Sequence, residues 1–279
     1  MRMDVSPFDP VRVAIRGGGD LGSGVAYRLL RSGFPVLITE LAHPLLVRRA
    51  VAFGSAAIEG MISVEGVTAR RVTSVEEARA VQSAGQIPVL IDPEGFLLAD
   101  YDPMVLIDAR MLKRDPGLHP ASARMVIGLG PGFSAPENCT AAIETNRGHN
   151  LGRVIWRGAP EPNTGTPGRV LGHTADRVLR APADGVVMGL VAIGARVKEG
   201  QPLAQVDGVV VTAPFDGVLR GLVHDGLKVA AGTKIGDVDP RAEPSHSFTI
   251  SEKALAIGGG VLEAILSYPP IRRRIAQRT

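Results

Sequence analysis

Residues 11–40 read VRVAIRGGGDLGSGVAYRLLRSGFPVLITE, and the fold turns on how this stretch is interpreted. Val11, Val13 and Ile15 alternate as a strand with one face against a core. Gly17, Gly19 and Gly22 follow at the spacing of a dinucleotide-binding turn. Leu21, Val25 and Leu29 then recur at helical spacing, closed by Gly33. A second apolar run, Pro35 to Thr39, ends in Glu40. Gly17 permits a tight turn off the strand, Gly19 leaves room for a phosphate at the backbone, and Gly22 lets helix and strand pack closely. The N–H groups and positive dipole end of the helix favour an anion. Glu40, 18 residues after Gly22, is placed to accept hydrogen bonds from ribose hydroxyls. Asp20 complicates this, because a carboxylate in the turn repels a pyrophosphate unless it points away or caps the helix. The turn therefore suits a mononucleotide or another adenosine-bearing molecule as well as a dinucleotide. The competing interpretation is a glycine-rich corner that binds nothing.

Beyond this stretch, 279 residues are enough for one large domain or two smaller ones. The chain is 45% hydrophobic and 21% charged, with a net charge of +3, which gives no reason to expect nucleic acid as partner. Arg272, Arg273, Arg274 and Arg278 form a basic cluster read as a solvated C-terminus. Aromatics at 4% argue against a base-stacking surface. No apolar run reaches the roughly 20 residues needed to span a bilayer, and MRMDVSPFDP lacks the apolar segment of a secretory signal. A single cysteine, Cys139, precludes an internal disulfide and fits a reducing cytoplasm. Cys139 itself reads as a small buried hydrophobe rather than a sulfur or selenium relay.

Residues 43–53 are expected to be helical and 56–72 to form a small strand or hairpin. Ser74 to Ala84 reads as a helix with Ser74 as N-cap and Glu76 and Glu77 in its first turn. Ile87 to Ile91, Met104 to Ile107 and Met125 to Leu129 are short apolar runs of the buried parallel kind. With the opening unit they predict an α/β fold with a Rossmann-like doubly wound sheet. Asp92 and Asp108, just past two of these strands, either serve a site or cap a turn. A second glycine turn at residues 128–133, GLGPGF, offers Gly128, Gly130 and Gly132 as another anion nest. Residues 144–150 then gather Glu144, Thr145, Asn146, Arg147, His149 and Asn150 around Gly148. So dense a polar run predicts a functional loop. Arg147 is a candidate partner for phosphate or carboxylate and His149 for proton transfer, with Glu144 beside them. No metal site is expected, since Glu144 and His149 lack a helical metal spacing.

A Pro/Gly/Thr-rich stretch reads as a linker at 161–178. After it, residues 181–208 and 213–239 repeat one unit: APADGVV from Ala181 matches APFDGVL from Ala213, at an offset of 32 residues. This predicts a small pseudo-symmetric β structure. The APxDG and VxxG patterns resemble the barrel-sandwich hybrid of biotinyl and lipoyl carrier domains. The link Gln205 to Val209 carries no lysine and Lys198 lies in an earlier turn, so neither biotin nor lipoate is expected to be attached. The expected domains are 1–160 for the nucleotide-binding sheet, 161–178 for the linker, 179–240 for the barrel-sandwich hybrid and 241–279 for a segment returning to the first domain. In that last segment Gly258, Gly259 and Gly260 precede an apolar Val261 to Leu266 helix. They form either a further anion nest or a close-packing surface.

IRGGGDLGSGVAYRL, VIGLGPGF, ETNRGHNLGRVI, VLRAPADG, GVLRGL and ISEKALAIGGGVLEAIL, taken in order, resemble the YqeB-type accessory protein family of the selenium-dependent molybdenum hydroxylase system. The resemblance implies a cytoplasmic role beside xanthine-dehydrogenase-like enzymes, in maturation or selenium handling of their molybdenum site. It names a pathway and not a reaction. Three functions follow as expectations. The first is a maturation factor for a molybdenum hydroxylase partner, binding a nucleotide or molybdopterin-type nucleotide cofactor. The second is an NAD(P)-dependent oxidoreductase with His149 or Tyr27 as proton donor. The third is a non-catalytic scaffold that docks a partner through its β domain.

Overall fold

The protein is represented by a computed structural model that describes residue 8 and residues 11–112, 117, 119–162, 172–173 and 175–277. The first region runs β1 (Val13–Arg16), α1 (Asp20–Arg31), β2 (Val36–Glu40), α2 (Ala56–Glu59), β3 (Met61–Val64), β4 (Val67–Val72), α3 (Val75–Ser83), β5 (Ile87–Ile91), α4 (Leu98–Tyr101), β6 (Val105–Asp108), β7 (Met125–Leu129), β8 (Ala141–Ile143) and β9 (Val154–Ile155). These strands form one nine-stranded sheet in the order β3-β4-β5-β2-β1-β6-β7-β8-β9. From β4 to β8 the neighbours are parallel. At the edges, β3 and β9 run antiparallel to β4 and β8. Glu65 and Gly66, both at positive φ, make the tight turn of the β3–β4 hairpin.

The central strands are buried along their length, as strands covered on both faces must be. Alternate residues divide between two cores. Val13, Ile15, Val36, Ile38, Val105 and Ile107 face one. Ala14, Leu37, Leu90, Leu106 and Val126 face the other, with Tyr101 and Cys139. Ser74 accepts the Glu77 N–H and caps α3, as its sequence position predicts.

The second region contains β10 (Val178–Arg180), β11 (Gly185–Gly189), β12 (Arg196–Val197), β13 (Pro202–Val206), β14 (Val209–Thr212), β15 (Gly217–Leu222), β16 (Lys228–Val229) and β17 (Lys234–Asp239). It folds as two four-stranded antiparallel sheets, β10-β17-β15-β12 and β14-β13-β11-β16, around a core of its own. The internal repeat is visible in it: β11, β12 and β13 begin 32 residues before β15, β16 and β17. Each sheet takes two of its strands from one copy of the repeat and one from the other.

This architecture corrects the expected fold class. The large sheet is mixed, and the β7–β8 crossover contains no helix, so a Rossmann-like doubly wound sheet with helical crossovers is not what forms. The β region is two four-stranded antiparallel sheets, not a barrel-sandwich hybrid of the carrier type. Apolar runs and glycine turns specify strands and local corners. They do not specify which segment covers a sheet, and here the cover comes from far away in the chain.

That cover is α5 (Glu252–Ser267), followed by α6 (Pro269–Ala276). A Cβ at Gly24 would lie 2.6 Å from the Ala254 Cβ, and one at Gly258 would lie 2.8 Å from the Gly24 carbonyl oxygen and from Arg28 Cγ. Residues 24 and 28 of α1 thus sit beside 254 and 258 of α5. The two helices run in the same direction in backbone contact, with their N-termini at one end. Ser251 accepts the Ala254 N–H and caps α5, which then continues unbroken through the three glycines. Of the two alternatives at Gly258, Gly259 and Gly260, an anion nest or a close-packing surface, the second is the one that forms. Gly258 packs against α1, Gly260 packs against the Gly152 carbonyl, and Gly259 is open.

Residues 43–53 also depart from expectation. They contain a 3-10 turn at Arg49–Val51 and begin another at Phe53–Ser55. The chain is drawn beneath the first glycine turn, where Gly54 N–H donates to the Gly18 carbonyl and Phe53 N–H to Ser23 Oγ. Much of the expected linker, 163–171 and 174, lies outside the described residues, as does Arg278. Among the described residues no single helix is long and apolar enough to cross a membrane.

Candidate functional site

The chain leaves β1 for β2, β5 and β4 on one side, while β6, β7 and β8 lie on the other. Such a switch point opens a crevice beyond the carboxyl ends of the parallel strands. A cavity of about 620 Å³ occupies this place. Its polar rim includes Arg16, Gly17, Gly19, Asp20, Glu40 and Arg110, and its apolar wall is Leu41, Pro44, Leu45 and Leu46. The volume is ordinary for a small-molecule site.

Three of the four glycines of the turn are required by the fold, for different reasons. Gly17 has φ +94, and a Cβ at Gly22 would lie 2.1 Å from the Gly17 carbonyl oxygen. A Cβ at Gly18 would lie 2.7 Å from the backbone of Gly54. Gly19 differs from these. Its φ is −70, and a Cβ there would meet nothing closer than Leu46 Cδ2 at 3.6 Å. Gly19 is the N-cap of α1 and makes no side-chain cap. Among the described residues, the N–H groups of Gly19, Asp20 and Leu21 have no backbone acceptor. Asp20 is the first residue of α1 and is held by Arg48 at 2.9 Å, so it does not cap the helix.

Glu40 lines the cavity, but its carboxylate is already engaged. Oε1 accepts the Gly18 N–H at 2.9 Å and Oε2 the Leu41 N–H at 2.7 Å. Burial pushes its pKa up, against the lowering effect of those two bonds. Its first role is to brace the turn, which qualifies the expected ribose contact. Asp92 takes the capping alternative: Oδ1 accepts from Gly95 and Phe96, and Oδ2 from Leu97. Asp108 is fully buried and pairs with Arg110 at 2.5 Å.

Arg16, at the end of β1, is 8% exposed. Its Nη2 donates to the carbonyl oxygens of Pro93 at 2.9 Å and Glu94 at 3.3 Å, while its buried Nε has no partner. Burial lowers its pKa, as does Arg110, while Asp108, Asp92 and Glu94 act in the opposite sense. Arg16 was missed from sequence because it reads there as one polar residue in an alternating strand.

The second glycine turn does not line the cavity. A Cβ at Gly128 would lie inside the Phe133 ring, 1.9 Å from Cγ, and one at Gly130 would lie 2.5 Å from Thr145 Oγ1. Gly130 and Gly132 have positive φ. These glycines allow the chain to pack behind Met111, which does line the cavity.

Glu144, Asn146, Arg147 and His149 do not line it either. Glu144 is buried and accepts from Asn146 N at 2.6 Å and Glu161 N at 2.7 Å. Asn146 and Asn150 donate to the two oxygens of Glu161. The polar density that marked this loop is thus satisfied mainly by internal bracing. Arg147 pairs with Glu252 in the first turn of α5, and His149 is exposed. The loop faces α5 through Lys253. Burial pushes the Lys253 ammonium pKa down, Arg147 adds to this, and Asp20, Glu144 and Glu252 oppose it. Cys139 is buried, and burial pushes its thiol up to about 11, which suits a packing role. Among the described residues, no group of three His, Cys, Asp or Glu side chains is placed to hold a metal ion.

The fold and the crevice together define a candidate small-ligand-binding protein, with an anion-favouring helix start facing an apolar wall. No protein-family model matches the chain. It is 48% identical over 254 residues to a protein of Escherichia coli strain K12 described as "Uncharacterized protein YqeB", a match covering 91% of this chain and 47% of that protein. The chain spans about half the length of that relative. Among solved structures, an aspartoacylase family protein from Mesorhizobium loti aligns over 81% of this chain and 84% of its own at 12% identity and a TM-score of 0.27. A succinylglutamate desuccinylase/aspartoacylase from Rhodobacter sphaeroides covers 81% and 86% at 15% identity and a TM-score of 0.24. Likeness at that level carries no information on this chain's chemistry.

Proposed function

We propose that this protein binds a nucleotide or nucleotide-bearing cofactor in the crevice at the start of α1, and that it serves as an accessory protein for selenium-dependent molybdenum hydroxylases. The observation that carries the binding reading is Gly19. The folded chain has room for a side chain there, yet the residue is glycine and lies at a helix N-terminus on the cavity wall. A phosphate would meet the N–H groups of Gly19, Asp20 and Leu21 and the positive end of α1. A base or pterin ring would lie on Leu41, Pro44 and Leu45, of which Leu41 and Leu45 are half exposed. The hydroxylase partner is the finer step and rests on the sequence blocks shared with the YqeB-type family.

A scaffold role has one observation in its favour. Val186, Met188 and Leu190 lie exposed along and just beyond β11, and Val209 and Val210 along β14, in the same sheet. The oxidoreductase reading loses support, since neither His149 nor Tyr27 lines the cavity.

Dialysed protein titrated with AMP, CMP and NAD in a thermal-shift assay tests the binding step. Stabilisation of several degrees by at least one of them is expected, and none by any would contradict it. Co-purification with a molybdenum hydroxylase, with nucleotide and metal analysis of each partner, tests the pathway. Hydroxylase that matures fully without this protein would contradict that part.

A further inference from the structure

A second cavity, of about 670 Å³, lies beside the first and shares Arg16 and Glu94 with it. Its lining includes Arg12, Arg16 and Arg124, with the carboxylates of Glu94 and Asp102 and with Leu106 of β6. Arg12 and Arg16 are four residues apart in the chain, so they lie on the same face of β1, about 13 Å apart. That face belongs to the core formed by Ala14, Leu106 and Val126. Arg12 is paired with Asp102 at 2.7 Å. Arg16 has no ion pair among the described residues, and Arg124, immediately before β7, is exposed. Arg16 is more than nine-tenths buried and its Nε lacks a partner. Burying a cation in this way is costly unless an anion arrives to match it.

We propose that the second cavity is an oxyanion subsite, and that Arg16 and Arg124 there hold the distal phosphate of a diphosphate ligand whose first phosphate meets the start of α1 and whose ring lies in the first cavity. This deepens the proposed binding function and rests on it. Arg16 stands on the partition, so one ligand can reach both sides of it. A guanidinium provides planar, multiple donation to a phosphate, which suits this position.

The test uses inorganic pyrophosphate as probe in isothermal titration of the full chain. Wild-type protein should bind it, and Arg124→Glu should weaken that binding at least tenfold. Lys198→Glu makes the same charge change at a surface lysine paired with Asp216 in the β region and should leave the affinity unchanged. Arg124 is exposed, so its variant should unfold at the wild-type temperature; Arg16→Gln provides a second variant and should also weaken binding. No pyrophosphate binding by wild type, or equal affinities in wild type and Arg124→Glu, would overturn the subsite. So would an equal loss in Lys198→Glu, which would mean that only overall charge matters. Adenosine, which carries no phosphate, reports on the first cavity separately, so a failure there is distinguishable from a failure here.

Discussion

Asp237 and Asp239, within the antiparallel sheets, are surrounded by Arg177, Arg220 and Arg241, whereas Arg16 at the crevice is buried with no carboxylate paired to it among the described residues. Asp237 takes Arg220 at 2.5 Å and Arg177 at 3.1 Å, and Asp239 takes Arg241 at 2.5 Å. Desolvation of those charges is offset locally by opposite charge. At the crevice it is offset by hydrogen bonds to two carbonyl oxygens and by the more distant charges of Asp108, Asp92 and Glu94, with no ion pair among the described residues. The contrast separates two uses of buried charge. A cluster whose anions and cations meet one another joins strands together, while a cation left without an anion is suited to an incoming one.

The largest expected effect breaks the first half of this comparison. Asp237→Ala would leave Arg177 and Arg220 buried without their shared anion, which should cost about 3–5 kcal/mol in urea unfolding. A loss below about 1 kcal/mol would mean that the cluster does not join these strands. Next comes acid. Burial raises the Asp239 carboxyl, but hydrogen bonds from Arg241 and the charge of Arg220 outweigh this and bring it down to about 2 from 3.8. A lowered folded pKa stabilises above the unfolded value and is lost as pH falls through the folded one. Asp239 should therefore contribute on the order of 2 kcal/mol above about pH 4 and lose it towards pH 2, and Asp239→Asn should flatten that part of the stability–pH curve.

Arg16→Met sharpens the second half. Removing a buried cation that lacks an ion pair should change stability by less than about 1 kcal/mol, because the lost carbonyl bonds and the relieved desolvation oppose each other. Denaturant unfolding reads this, and a loss as large as that of Asp237→Ala would make Arg16 a structural residue. Smallest is His149→Ala. An exposed side chain outside both cavities should leave unfolding and ligand affinity unchanged within error.

The parts of the fold visible in the sequence were those fixed by neighbours along the chain. The β1–α1–β2 unit, the Ser74 cap and the 32-residue repeat each depend on contacts within one local segment or on simple periodicity. Glycines whose partners lie far away in sequence were harder to interpret. Gly18 is required by Gly54, Gly258 by Gly24 and Arg28, and Gly128 by Phe133 only because the turn folds back. A glycine triplet looks the same whether it faces an anion or another helix. The polar run at 144–150 misled for a related reason, since Glu161, 17 residues beyond Glu144, satisfies much of it. Arg16 gave no signal at all, because burial of a single strand residue depends on what covers the sheet.

The most direct test is isothermal titration of wild-type protein and Gly19→Leu with whichever of AMP, CMP or NAD stabilises the wild type. The leucine has space at its Cβ and should leave the unligated unfolding temperature unchanged, while its side chain fills the mouth of the cavity and reduces affinity at least a hundredfold. Equal affinity in the two proteins, with both fully folded, would show that the ligand sits somewhere other than the start of α1.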